Sequence, residues 1–319
     1  MSPLPLDTYS AWIDKKRAAA IKEGDRLALD RLSHMAEHLP DGNSWLLWVG
    51  NRKKASRYVL FFPGGGYIAP VTPGHFEWCF RAYVERESGH EVAVAVLQYT
   101  LCPAARYPTQ LMQATSALRH LMDSGIPASS IVIGGDSAGG NLTAQLLIHL
   151  AHSAAPNRLP EPLAGAFLVS PWLSGNTNGR SFSENQFIDM LSREHIETSS
   201  RELLHTQPTQ DDLKGGHGEW ALPLDTDRKW LNGLAQTTRA LYVTVGANEV
   251  LRDQGILFAE TIRKRNETIN VQLEILEADA HDSVLLEGFG ALLAIGKKEY
   301  DLPPQLARHR AEIASYFSS

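Results

Sequence analysis

Residues 134–140 read Gly-Gly-Asp-Ser-Ala-Gly-Gly, and few runs of this length restrict a fold so tightly. The four residues before Gly134, from Ser130 to Ile133, form a short β-branched apolar strand. The ten after Gly140, from Asn141 to Leu150, have helical composition. A G-x-S-x-G match between strand and helix predicts a sharp turn that lifts the Ser137 hydroxyl out of a sheet. Gly135 and Gly139 are required there because a Cβ would strike the neighbouring strand and helix backbones. The helix that follows directs its positive N-terminal end at the serine.

The rest of the chain supplies a frame for that turn. Strands are expected at Ser44–Val49, Arg57–Phe62, Glu91–Gln98, Ile131–Gly134, Leu163–Ser170, Ala240–Gly246 and Asn270–Leu276. Helices are expected near 75–88, 108–123, 138–152, 252–265 and over Pro304–Phe317. Residues 8–39 carry helical spacing in Trp12, Ile13, Ile21, Leu27, Leu29, Leu32, Met35 and Leu39, which predicts one or two amphipathic helices. Strand–helix alternation with nearly continuous apolar strands predicts an α/β fold: a mostly parallel sheet covered on both faces. The interval 174–232 breaks the rhythm. It is polar and dotted with aromatics, as expected of a cap inserted into a core of 46–173 and 233–319. Residues 1–45 are expected to be helical and to pack with it over the carboxyl edge of the sheet.

Bulk properties exclude several classes. The 319 residues carry a net charge of −6, and basic clusters do not extend beyond Arg52–Lys54 and Arg263–Arg265; nucleic acid is not an expected partner. Two cysteines, Cys79 and Cys102, do not make a disulfide framework. There is no signal-peptide pattern at the N-terminus and no apolar stretch near the roughly 20 residues a bilayer requires. The expectation is a cytoplasmic protein with no membrane span.

A serine hydroxyl needs a base, a carboxylate to orient the base, and donors for the oxyanion. Among 12 histidines, His281 stands out by position, in a turn just beyond the last expected strand. His149 and His152 follow on the helix after Ser137 and should point away. His195, His205 and His217 fall in the insertion and at most line a pocket. The acid candidates are Glu249, just past the strand ending at Gly246, and Asp253, one helical turn later, which more naturally caps or salt-bridges its helix. Asp279 and Asp282 flank His281 but should not curl back onto its ring, and Asp136 reads as a hydrogen-bonding residue of the serine turn. The glycines that follow Pro63, with Gly65 and Gly66 among them, let backbone amides approach an oxyanion, and Ala138 offers another amide.

Taken together these residues resemble the hormone-sensitive-lipase-like branch of the α/β-hydrolase esterases. The branch has a His-Gly-Gly-Gly loop, a Gly-Asp-Ser-Ala-Gly-Gly turn and a helical cap. The likeness runs from about residue 57 to 290. It includes the stretch from Tyr99 to Pro103, then Tyr107-Pro108, and the stretch from Ser170 to Leu173; details of 107–110 and 249–253 look closest to fungal members. The resemblance implies an α/β-hydrolase fold with a helical cap, Ser137 as nucleophile, His281 as base, Glu249 rather than Asp253 as acid, and an oxyanion hole of Gly65, Gly66 and Ala138. It implies no cofactor and no metal, a small-molecule ester as substrate, and the homodimer common in the branch. Two departures stand out: Pro63 replaces the loop histidine, so the loop must be secured differently, and the acid is Glu where Asp is commoner.

The first expectation is therefore a serine carboxylic-ester hydrolase for small to medium acyl esters. A second is a catalyst of specialised (secondary) metabolism that deacetylates, opens a lactone, transfers an acyl group or cyclises, with Trp172, Phe182, Phe187, Trp220 and Trp230 lining a large pocket. A third is a ligand-binding pseudoenzyme, which intact Ser137, carboxylate and His281 disfavour.

Overall fold

The computed structural model describes residues 5–85, 90–153, 158–204, 220–296 and 301–317. Eight strands form one sheet. They are β1 (Ala36–His38), β2 (Trp45–Val49), β3 (Arg57–Phe62), β4 (Val92–Gln98), β5 (Ile131–Asp136), β6 (Gly165–Val169), β7 (Ala240–Gly246) and β8 (Asn270–Leu276), in the spatial order β1-β2-β4-β3-β5-β6-β7-β8. β1 and β2 are antiparallel to their neighbours, and every pairing from β4 to β8 is parallel.

Alternating side chains of β3 show how the sheet is covered. Leu60 and Phe62 join a core with Leu111 and Leu118 of α4 (Thr109–Asp123), Leu142 and Leu146 of α5 (Ala138–His152), and Phe258 and Ile262 of α8 (Arg252–Arg265). Val59 and Phe61 face the other way. They join Tyr9 and Trp12 of α1 (Pro5–Glu23), Phe76 and Trp78 of α3 (Pro73–Cys79), Val284 and Ala291 of α9 (Ser283–Leu293), and Leu306 and Ile313 of α10 (Pro304–Tyr316). Period-two alternation thus feeds two apolar layers, as a strand buried on both faces demands.

Several expected bounds shift. The first 45 residues are not wholly helical: α1 and the short α2 (Arg26–Arg31) precede β1, whose three residues pair with Trp45–Leu47 in a hairpin. The helix expected at 75–88 starts at Pro73, as suits a residue with no N–H to leave unpaired, and continues beyond Cys79 as a π-helical turn, Phe80–Val84. α9 was not expected at all. Its Gly288 lies so close to α3 that a Cβ there would press on the Gly74 carbonyl and come within 3.2 Å of the Trp78 side chain.

Between β6 and β7 the chain makes a long excursion carrying α6 (Arg180–Asn185) and α7 (Arg193–Leu204). Its buried Trp172, Phe182, Ile196 and Leu203 belong to the core that includes α5 and α8, whereas α1 belongs to the opposite layer. α1 is held there by buried Trp12 Nε1 and Lys16 Nζ donating to Glu77 of α3 at 2.9 and 3.0 Å.

Candidate active site

All the candidate groups occupy turns at the carboxyl ends of parallel strands. Ser137 lies between β5 and α5, Glu249 between β7 and α8, His281 between β8 and α9, and the glycine loop follows β3. The serine turn is tight. Ser137 has φ 50° and ψ −112°, a backbone conformation few residues with a Cβ adopt. It is held by its own N–H donating to Val169 O at 2.8 Å and by its carbonyl accepting from Trp172 N at 3.1 Å. A Cβ on either Gly135 or Gly139 would run into the carbonyl of Phe62. Both glycines are there because β3 and the start of α5 pass so closely.

The structure brings Ser137, His281 and Glu249 into one line. His281 Nε2 is 3.0 Å from Ser137 Oγ, and Nδ1 is 3.0 Å from Glu249 Oε2. Glu249 is fully buried, and its Oε1 accepts from Gly246 N at 3.2 Å. Gly246 also lets the two loops touch, because a Cβ would lie 2.7 Å from the Ala280 carbonyl. Asp253 is elsewhere: Oδ2 accepts from Ser181 N at 2.8 Å and Oδ1 from Arg252 Nε at 3.1 Å.

The glycine loop is fastened without a histidine. Tyr99 OH donates to the Pro63 carbonyl at 2.6 Å, and Gly64 N donates to Asp136 Oδ1 at 3.0 Å. Asp136 Oδ2 lies 3.2 Å from His75 Nε2, whose Nδ1 accepts from Thr72 N at 3.1 Å. Farther along, Cys102 N donates to Tyr67 O at 2.8 Å and Tyr67 OH to Asn141 Oδ1 at 2.7 Å. Gly65 and Gly66 take φ of 118° and 60°, which glycine adopts at least cost. Among the described residues their amides donate to no protein acceptor. The Ala138 amide opens α5 and has no intrahelical acceptor.

Two aspartates at this site were passed over in the sequence. Asp282 does reach the ring of His281, contrary to expectation: Oδ2 lies 3.1 Å from Nε2, the nitrogen that faces Ser137. Asp282 takes a left-handed backbone (φ 53°, ψ 38°), and that turn folds its carboxylate back. Asp189, in the excursion, accepts from Val250 N at 2.7 Å and from His281 N at 3.3 Å, tying the acid loop to the histidine loop. Neither residue belongs to a motif, so no local signal announces them.

The electrostatics follow from burial. Removal from water pulls the His281 pKa down, but the carboxylates of Asp282 and then Glu249 outweigh that and hold it well above the ordinary histidine value. Burial pushes the Asp282 carboxyl up to about 6, although the His281 ring opposes the shift.

Of the other histidines, His149 is buried against Trp220, His152 Nε2 bonds the Trp230 carbonyl at 2.8 Å, and His195 is exposed on α7. His205 and His217 lie outside the described residues. Trp172, Phe182 and Trp220 are core residues, while Phe187 is 89% exposed. Among the described residues no group of three or more His, Cys, Asp or Glu side chains could hold a metal ion, and no helix is long and apolar enough to cross a membrane.

Comparison with known proteins bears on the family and the fold. The chain is similar to an acetyl-hydrolase of Streptomyces hygroscopicus, 27% identical over 210 residues, which is 65% of this chain and 62% of that protein. It spans less than two thirds of the length of the first curated relatives it matches. In fold it is similar to carboxyl esterase 2 of the mycorrhizal fungus Tuber melanosporum (TM-score 0.68, 19% identity, 90% of this chain and 86% of that one). It is equally similar to an esterase of the bacterial hormone-sensitive lipase family (TM-score 0.67, 22% identity, 99% and 100%). Residues 59–284 match the model of the family described as alpha/beta hydrolase fold, from within β3 to the start of α9. The chain belongs to the alpha/beta hydrolase fold family.

Proposed function

We propose that this protein is a serine carboxylic-ester hydrolase for small acyl esters. The observation that carries the reading is the unbroken line from Ser137 Oγ through the His281 ring to Glu249, with both contacts at 3.0 Å. Ser137 attacks the acyl carbon while Nε2 takes its proton. Glu249 at Nδ1 fixes the ring orientation and stabilises the imidazolium. The carbonyl oxygen, now an anion, is met by the amides of Gly65, Gly66 and Ala138. The intermediate collapses, and the alcohol leaves with the Nε2 proton. Water, deprotonated by the same nitrogen, then attacks the acyl-serine and releases the acid.

The acyl group is short. α7 lies against the glycine loop, where a Cβ on Gly66 would come within 2.7 Å of Ser199 Oγ. The acetyl-hydrolase likeness points the same way. Ser137→Ala should lower the hydrolysis of p-nitrophenyl acetate by about 10⁴-fold or more. Turnover in that variant at the wild-type rate would reject the assignment.

A further inference from the structure

Asp282 sits at the N-cap of α9, where an aspartate ordinarily accepts hydrogen bonds from the first-turn amides. Its side chain makes no such bond. The carboxylate is instead turned to the His281 ring, where Oδ2 is 3.1 Å from Nε2. The residue is 6% exposed, and among the described residues Oδ1 has no hydrogen-bond partner. A buried carboxylate oxygen without a donor is unfavourable. Asp136 and Glu249 are the other acidic groups whose charge acts on this carboxyl, and His281 opposes them when it is protonated. Nothing described satisfies Oδ1.

The contact also obstructs the chemistry. Nε2 must be free of a proton to accept one from Ser137. A carboxylate at the same nitrogen holds a proton there, and a protonated carboxyl would donate to it; in either state Asp282 competes with Ser137. A donor that takes the carboxylate relieves the competition. In an ester hydrolase, Nε2 hands its proton to the departing alcohol, so a group in contact with Nε2 lies beside the leaving oxygen. A hydroxyl on the carbon next to the ester-bearing one falls in that region.

We infer that Asp282 is a specificity residue that accepts a hydrogen bond from a hydroxyl on the alcohol part of the ester, so that the substrates are acyl esters of diols or polyols rather than of plain alkyl alcohols. This rests on the ester-hydrolase reading above. The substrate hydroxyl gives the carboxylate the donor it lacks, weakens its hold on Nε2 and fixes the leaving group. An ester without the hydroxyl must bind with the buried acceptor still unpaired, which is how sites built for a donor reject its absence.

2-Hydroxyethyl acetate and propyl acetate test this directly, because they differ only in a terminal hydroxyl against a methyl. The wild-type enzyme should turn over the hydroxyethyl ester with kcat/KM at least about tenfold higher. In Asp282→Ala the ratio should fall to within about twofold, and in Asp282→Asn, which keeps an acceptor, it should stay intermediate. Equal kcat/KM values in the wild type, or a preference that survives in Asp282→Ala, would overturn the proposal. Ser137-dependent hydrolysis of p-nitrophenyl acetate separates the two readings. If it is present while the two acetates are used equally, only the role of Asp282 fails; if it is absent, the ester-hydrolase reading fails and takes this one with it.

Discussion

The Asp136 carboxylate accepts from the Gly64 amide at 3.0 Å and so fixes the first glycine of the loop to the residue before the serine. The hormone-sensitive-lipase-like branch carries a histidine one position upstream, where this chain has Pro63. Here a buried acid from β5 anchors the loop from beneath, and His75 of α3 holds that acid in turn at 3.2 Å. Asp136→Ala should misplace the Gly65 and Gly66 amides and lower kcat about 10²-fold, comparable to losing one oxyanion donor, with less change in KM. Asp136→Asn keeps an acceptor for Gly64 and should recover part of the loss. Steady-state kinetics on p-nitrophenyl acetate, with thermal unfolding as a check on folding, decides between the outcomes.

Asp189 performs a similar service from the other side. It joins Val250, next to Glu249, to the backbone of His281. Asn185 adds a bond from Nδ2 to the Glu249 carbonyl at 2.8 Å. Removing the carboxylate in Asp189→Ala should lower kcat by about tenfold or more while leaving KM within a few-fold, since a small displacement of the base is costly to the reaction and not to binding. A fall in KM affinity alone would show that Asp189 contacts substrate instead.

The charges around His281 set the pH dependence. A base must be unprotonated, so kcat/KM should rise with pH and level off once the ring has lost its proton. Burial lowers the pKa of the free enzyme's imidazole, but Asp282 and Glu249 more than reverse this. The midpoint of the rise should therefore lie above the ordinary histidine value of about 6.5. Asp282→Asn removes one of the two carboxylates and should move the midpoint down. A wild-type midpoint below 6.5 would contradict this electrostatic picture.

His309 gives a stability prediction far from the site. It is buried in α10 among the rings of Trp78, Phe167 and Tyr242, and burial alone pushes its pKa down to about 3. The unfolded chain takes up this proton near pH 6.5 and the folded one does not. Stability is therefore lost as pH falls from about 6.5 towards 3, by roughly 2 kcal/mol at pH 5. Thermal unfolding from pH 7 to pH 5 should show the loss, and His309→Phe should flatten the curve. An unchanged slope in the variant would assign the acid sensitivity to other groups.

What the sequence disclosed, and what it withheld, follows the range of the forces involved. Arg57–Phe62, Ala240–Gly246 and Asn270–Leu276 were readable to the residue, because β-branched and aromatic runs between turn residues state a strand locally. β1 is three residues of mixed polarity at the sheet edge and has no such pattern. α9 was hidden by Gly288 and Gly290, which lower local helix propensity; Gly288 serves the close crossing with α3, a tertiary requirement. The groups at Ser137, Glu249 and His281 were findable because each follows a strand in chain order. Asp189 and Asp282 were not, because one acts across the β6–β7 excursion and the other through a left-handed turn that only the folded chain imposes.

Reaction with a fluorophosphonate probe, followed by peptide mass spectrometry, bears most directly on whether Ser137, His281 and Glu249 act as one unit. A single adduct should form on Ser137 in the wild type, form far more slowly in His281→Gln and Glu249→Gln, and be missing from Ser137→Ala. Wild-type protein that is folded yet unlabelled at Ser137, or labelled just as fast without the histidine, would contradict the account.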